Sequence, residues 1–300
     1  MAGMAASPVT FAHEQHLVLP SGWRGSILDA APREAWSSFI ETLLRDPSAL
    51  PGYAVLKYSG RLQVCRARLG DGVGARDVIC KQSRVEGFLR QRLAALRPTR
   101  ARQAAQRATW LREAGVATAE PLAILESTRA DREAWLITAA LNDVVDLDHV
   151  AMTLLPRAAA NEGPRIRRGL SQAVAAMMAK LPPAGLHHRD LKASNILLTN
   201  WNAAGDPPTA WIVDVDGVSR CARGSPAKER QRLVRLGASL AGHPGVRAVD
   251  VARFLIHYAA ALGRPRKAWK SLFRTCEPMV ISYNRRAAGR KTGKLDGYGG

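Results

Sequence analysis

The chain is short of acid, of cysteine and of long apolar runs. Its 300 residues hold 25 Asp and Glu against 44 Lys and Arg, a formal net charge of +19. No stretch reaches the roughly 18 consecutive apolar residues that read as a transmembrane helix, so a membrane-spanning chain is not expected. The opening residues MAGMAASPVTFAHE lack a basic region followed by a long apolar one, which argues against a secretory signal. The four cysteines, Cys65, Cys80, Cys221 and Cys276, form no CxxC pair. Neither a zinc site nor a disulfide framework is indicated, and a reducing cytoplasm fits. No internal repeat is present.

What the chain has in excess is positive charge, and that charge is concentrated. Lys81 to Arg112 carries nine basic residues and one acid, Glu86, and Arg285 to Lys294 adds five basic residues and no acid. Such a field suits nucleic acid, an anionic membrane surface or a polyanionic substrate. Solvated helix faces would give the same composition, so charge alone does not choose a partner.

Three hundred residues suffice for one or two domains with a sizeable core. Residues 1–12 are expected to form a disordered leader. Apolar residues from Ile27 to Leu44, among them Trp36, Phe39, Ile40 and Leu43, predict one helical stretch between Ser26 and Asp46-Pro47. Two strand-like runs follow, Tyr53–Tyr58 and Arg61–Leu69, joined by Ser59-Gly60 as a tight hairpin. The Gly-rich loop Gly70–Gly74 leads to a third run, Asp77–Lys81. A helix is predicted over 98–114, with Pro98 near its start and Gly115 past its end. Val116–Leu125 and Ala134–Ala139 complete a five-stranded sheet. Polar, acidic Leu141–Asp148 reads as a connector.

Beyond the connector the pattern turns helical. Leu170, Val174, Met177, Met178 and Leu181 make one apolar stripe stopped by Pro182-Pro183, and such a stripe is core rather than a ligand box. Val251, Phe254, Leu255, Tyr258 and Leu262 make a second. Arg, Lys and Gly dominate from Arg285, which predicts a disordered basic tail over 285–300.

One stretch carries chemistry: His187-His-Arg-Asp-Leu-Lys-Ala-Ser-Asn-Ile-Leu-Leu198. An acid (Asp190), a base two residues on (Lys192) and an amide five residues on (Asn195) lead into an apolar strand. That combination is expected where a phosphoryl group passes from ATP to a hydroxyl. The carboxylate accepts the hydroxyl proton, the ammonium neutralises the γ-phosphate, and the amide oxygen helps hold a metal ion.

Residues 187–195 resemble the HRDLKxxN catalytic loop of the protein kinases. The resemblance implies an α+β, bilobal fold: a nucleotide-binding N-terminal lobe with a small antiparallel sheet over 13–140, and a mainly helical catalytic lobe over 141–284. It also implies ATP and Mg²⁺ as cofactors. Lys81, ending the run DVICK, stands where the family's lysine holds the α- and β-phosphates. Asp214 ends the strand WIV as the DFG aspartate does and would bind Mg²⁺. The motif here is DVD, so Asp216 is either a second metal contact or a turn former ahead of Gly217. His188 would brace the loop and Arg189 would hold a neighbouring carboxylate.

Departures narrow the resemblance. No GxGxxG lies between the first two strands, leaving Ser59 and Gly60 to cover the phosphates. The acid that should pair with Lys81 is not evident near Gln103–Ala105. No APE-type segment follows Asp214, so a protein-substrate platform is poorly supported. RPTRARQAAQRATWLREAGVATAEPLAILE, IVDVDGVSR and RQRLVRLGASL are similar to segments of the lipopolysaccharide core heptose and Kdo kinases, the WaaP/InaA type. That resemblance implies transfer of phosphate to a sugar hydroxyl of an anionic glycolipid. It also implies a cytoplasmic protein, peripheral on the inner face of the inner membrane. An atypical protein Ser/Thr kinase is the second reading, separated by whether phosphate reaches protein or glycolipid. A pseudokinase or nucleotide-binding scaffold is the third, motivated by the missing glycine loop. Nucleic acid is disfavoured as a partner, and the sequence leaves the oligomeric state open.

Overall fold

The computed structural model describes residues 11, 14–17, 19, 22–29, 33–59, 62–72, 74–85, 97–129, 132–202 and 206–295. Most of the leader expected over 1–12 therefore lies outside the described residues, as do Gly60 and Glu86. By internal packing the chain divides into two units. The first holds the residues up to Thr109 together with Ala119–Leu141, and the second holds Trp110–Thr118 together with Asn142 onward.

The first unit is one antiparallel sheet with helical cover. Its strands are β1 (Gln15–Leu17), β2 (Trp23–Ile27), β3 (Ala54–Ser59), β4 (Leu62–Leu69), β5 (Arg76–Ser83), β6 (Pro121–Ser127) and β7 (Ala134–Ala139). They lie in the order β1-β2-β6-β7-β5-β4-β3. Among the described residues the sheet has seven strands where the sequence pattern predicts five. The added pair is β1 and β2, and β2 claims Ser26 and Ile27, which the apolar pattern assigns to a helix. Ile27 pairs with Ala123 of β6 and is buried there.

Helix α1 (Arg33–Arg45) begins after that strand. Trp36, Phe39, Ile40 and Leu43 recur at helical spacing on its buried side. They pack on the alternate buried residues of β4 and β5, Cys65, Ala67, Leu69, Val78 and Cys80. Cys65 and Cys80 face each other across the two strands, and both are free thiols. Helix α2 (Arg100–Glu113) starts at Thr99, whose Oγ1 accepts from the Arg102 N–H at 3.2 Å. It ends at Gly115, whose φ of 69° lets the Val116 N–H turn back to the Leu111 carbonyl at 2.8 Å.

The second unit is mainly helical: α3 (Gly163–Ala179), α4 (Pro226–Leu240), α5 (Ala248–Ala261) and α6 (Ala268–Leu295). The expected stripe on α3 is core, with Leu170, Val174, Met177 and Met178 all buried. Short strands carry the rest: β8 (Val145–Asp146), β9 (Leu186–His188), β10 (Ile196–Thr199), β11 (Thr209–Ile212) and β12 (Val218–Arg220). β8, β10 and β11 form one small sheet, and β9 pairs with β12.

The tail departs from expectation. Composition predicts disorder from Arg285, but α6 runs on to Leu295. Arg285, Arg286, Ala287 and Ala288, where the tail is expected to begin, are good helix formers.

Candidate active site

Two strand pairings tie the chemistry-bearing segments together. Residues 189–195 leave β9 and enter β10, while 213–217 leave β11 and enter β12. Val218 pairs with His188 and Ile212 with Ile196, so the segments are joined at both ends. Between the pairings, the Arg189 N–H donates to the Gly217 carbonyl and the Val213 N–H to the Asn195 carbonyl, both at 3.0 Å. This is why an acid at 190 and an acid at 214 meet although 23 residues separate them.

Within the loop, side chains hold the backbone. Asn195 Nδ2 donates to the Asp190 carbonyl at 2.9 Å. Ser239 Oγ, from α4, accepts from the Ala193 N–H at 2.9 Å. His188 is fully buried, and its Nδ1 accepts from the Asp190 N–H at 3.3 Å. Burial lowers its pKa, against the opposing pull of Asp214. The bond from Asp190 braces the loop against the His188 ring. His187 is buried beside it, and desolvation, followed by the charges of Arg232 and Lys228, pushes its pKa down to about 4.

The Asp190 carboxylate is half-exposed and faces two cations. Arg235 of α4 reaches Oδ1 through Nε at 2.7 Å and Nη2 at 2.6 Å. Lys192 Nζ stands 3.9 Å from Oδ2. Among the described residues Arg235 is the arginine that reaches Asp190, a contact the sequence reading does not anticipate. Nothing in the loop motif marks Arg235, because the contact spans 45 residues.

A cavity of about 950 Å³ opens on this carboxylate. Its walls hold Asp190, Asp214 and Asp216 together with Arg189, Arg230 and Arg286. Asp214 adopts a left-handed backbone (φ 56°), which non-glycine residues avoid unless their surroundings hold them there. Asp216 sits in the single 3-10 turn Val215–Gly217 that follows. Among the described residues no three His, Cys, Asp or Glu side chains cluster as a metal site. The donors in the cavity are hard oxygens, the carboxylates of Asp190, Asp214 and Asp216. This set fits Mg²⁺ better than a thiophilic ion.

Of the residues predicted for the site, Asp190, Lys192, Asn195, Asp214 and Asp216 belong to the second unit. Lys81 and Ser59 belong to the first. Lys81 is half-buried in β5, between Val64 of β4 and Leu136 of β7. Ser59 ends β3 opposite Leu62 of β4, and Gly60 lies outside the described residues. The positions near 103–105 hold no acid for Lys81. Gln103 donates to the Pro98 carbonyl, and Ala104 and Ala105 are buried.

A kinase-like α+β fold carrying an HRDLKxxN loop and a following strand-end aspartate is that of a phosphotransferase. A family model described as lipopolysaccharide kinase (Kdo/WaaP) matches residues 81–258, and the chain belongs to that family. Among solved structures it is similar to WaaP in complex with acyl carrier protein. The identity is 26% and the TM-score 0.56, over 82% of this chain and 93% of that one. A search of curated proteins finds no match. The chain is thus a kinase of lipopolysaccharide biosynthesis.

Proposed function

We propose that the chain transfers the γ-phosphoryl group of ATP, with Mg²⁺, to a hydroxyl of an inner-core lipopolysaccharide sugar, heptose or Kdo. The observation that carries this reading is the single cavity in which Asp190, Asp214 and Asp216 meet a wall of arginines. Carboxylates there suit a hydroxyl and a cation, while arginines suit an acceptor that is itself anionic.

In this mechanism Asp190 orients the acceptor hydroxyl and takes its proton, and Lys192 steadies the γ-phosphate. Asn195, Asp214 and Asp216 would hold the cation. Bound Mg²⁺ would neutralise charge on the phosphate oxygens as the phosphoryl group moves. We assign Lys81 to the α- and β-phosphates and Ser59 to their cover, as the kinase resemblance implies. Positioning and charge neutralisation supply most of the rate, since a loose phosphoryl transition state needs little covalent help.

No described helix is long and apolar enough to cross a membrane. α6 brings Arg285 and Arg286 near exposed Met279 and Ile281. Basic and apolar groups together suit peripheral contact with an anionic lipid surface.

The test is mass spectrometry of core glycolipid from cells with and without the protein. It is paired with transfer from labelled ATP to purified, dephosphorylated inner core. Loss of one phosphate in the cells and its restoration in vitro are expected. Label appearing on protein and never on glycolipid would replace this reading with a protein kinase.

A further inference from the structure

Helix α4 presents two side chains, one turn apart, to the catalytic loop. Ser239 accepts the Ala193 N–H and Arg235 grips the Asp190 carboxylate. Residues at i and i+4 share a helix face, so one rigid element meets the loop at two points. The helix is anchored by buried Leu233, Val234 and Leu236.

Arg235 is itself held. Its Nη1 donates to Tyr283 Oη of α6 at 2.5 Å, and its guanidinium lies 5.1 Å from the Tyr283 ring centroid. Hydrogen bond and cation–π contact together fix the plane of the fork. With Nη1 committed to Tyr283, Nε and Nη2 are the two donors that converge on Oδ1 of Asp190. Among the described residues Oδ2 faces Lys192, at 3.9 Å, and is the oxygen turned to meet a hydroxyl in the cavity.

We propose that Arg235 is a positioning residue for phosphoryl transfer. It ties down one oxygen of Asp190 so that the other points at the acceptor, and Tyr283 locks Arg235 in that pose. The orientation of the proton acceptor is then set by α4 and α6, outside the motif that supplies it. The proposal rests on the kinase reading of Asp190, and it asks about geometry rather than about which sugar is the acceptor.

The experiment measures transfer from labelled ATP to dephosphorylated inner-core glycolipid, with release of ADP into water followed in parallel. Wild type, Arg235→Ala, Arg235→Lys, Tyr283→Phe, Asp190→Ala and the double variant D190A/R235A are compared. A reacting group misplaced by about 1 Å loses roughly 10²-fold, so Arg235→Ala is expected to lower kcat by about that factor. KM for ATP should stay within about twofold, because the contact acts on the transition state and not on nucleotide binding. Arg235→Lys should recover part of the loss, since an ammonium restores charge but not the fork. Tyr283→Phe should lower kcat by about 3- to 10-fold, with an unchanged melting temperature. In the Asp190→Ala background, removing Arg235 should cost less than about threefold, because residues that act through one another are not additive.

An unchanged or raised kcat in Arg235→Ala overturns the proposal, and so does a full multiplicative loss in the double variant. If Arg235→Ala does not fold, Tyr283→Phe and Arg235→Lys decide on the same two readouts. If wild type labels no glycolipid, the substrate reading fails separately, and the kcat series on ADP release still judges Arg235.

Discussion

Gly217 packs against the His188 ring so closely that a Cβ placed on it would stand 2.7 Å from Cε1 and 2.9 Å from Nδ1. The ring is buried and cannot step aside, and the Gly217 carbonyl also receives the Arg189 N–H. Gly217→Ala therefore pushes the 213–217 segment away from the catalytic loop. Overpacking of this kind costs about 1–3 kcal/mol, and the two loops should lose their register with it. Denaturant melts should show a lower midpoint, and transfer activity should fall more steeply than stability does. A variant with the wild-type midpoint and wild-type activity would mean that the contact is slack.

Asp190→Ala should lower turnover by roughly 10²–10⁴, the usual worth of a positioned acid–base group. Nucleotide affinity should barely change, because the carboxylate faces the acceptor cavity. Fluorescent-nucleotide titration beside steady-state transfer checks both halves. Near-normal turnover would remove Asp190 from the role.

Glu229 of α4 is buried and accepts both forks of Arg264, at 2.8 and 2.9 Å. The adjoining Arg232, also buried, donates to the Leu186 carbonyl at 3.0 Å, at the start of the strand that carries His187 and His188. Arg264→Ala leaves a carboxylate without its partner behind the catalytic loop. Breaking a fully buried pair costs about 3–5 kcal/mol, and because Arg264 is a third exposed about 2–3 kcal/mol is expected here. A thermal melt of Arg264→Ala tests this, and a drop of under about 0.5 kcal/mol would show Glu229 satisfied by other means.

His187 sets an acid limit. Its folded pKa of about 4 lies below the ordinary value of 6.5, so between those values the unfolded chain binds the extra proton. Stability then rises with pH through that window, and is lost as pH falls from 6.5 toward 4. Melting temperatures measured across pH 4 to 7 should slope accordingly. His187→Gln, which cannot titrate, should flatten the slope. An identical slope in both proteins would assign the acid loss to other groups.

The loop itself is legible in the sequence because it is local. Asp190, Lys192 and Asn195 sit within six residues, and the strand after them announces itself by Ile-Leu-Leu. The α3 stripe is legible for the same reason, since its periodicity needs no partner to be seen. Arg235 and Tyr283 are not, as the first lies 45 residues beyond Asp190 and the second 48 beyond that. An arginine in RLVRLG reads as a solvated helix face until the fold shows what it touches. β2 is missed because WRGSI has no clean alternation, and its strand character comes from pairing with β6. The continuation of α6 past residue 285 is missed because a low apolar content predicts disorder, whereas Arg285, Arg286, Ala287 and Ala288 are good helix formers.

The two N-terminal strands have a practical meaning for anyone who shortens this chain. β2 lies along the full edge of β6, from Trp23 against Ser127 to Ile27 against Ala123. A protein begun after residue 30 would leave that row of amides and carbonyls bare, beside the buried residues Leu122, Ile124 and Leu125. Bare edges of this kind recruit other chains. The residues that look most dispensable for catalysis are thus a guard against self-association, and a trimmed kinase should be found in aggregates rather than in the supernatant.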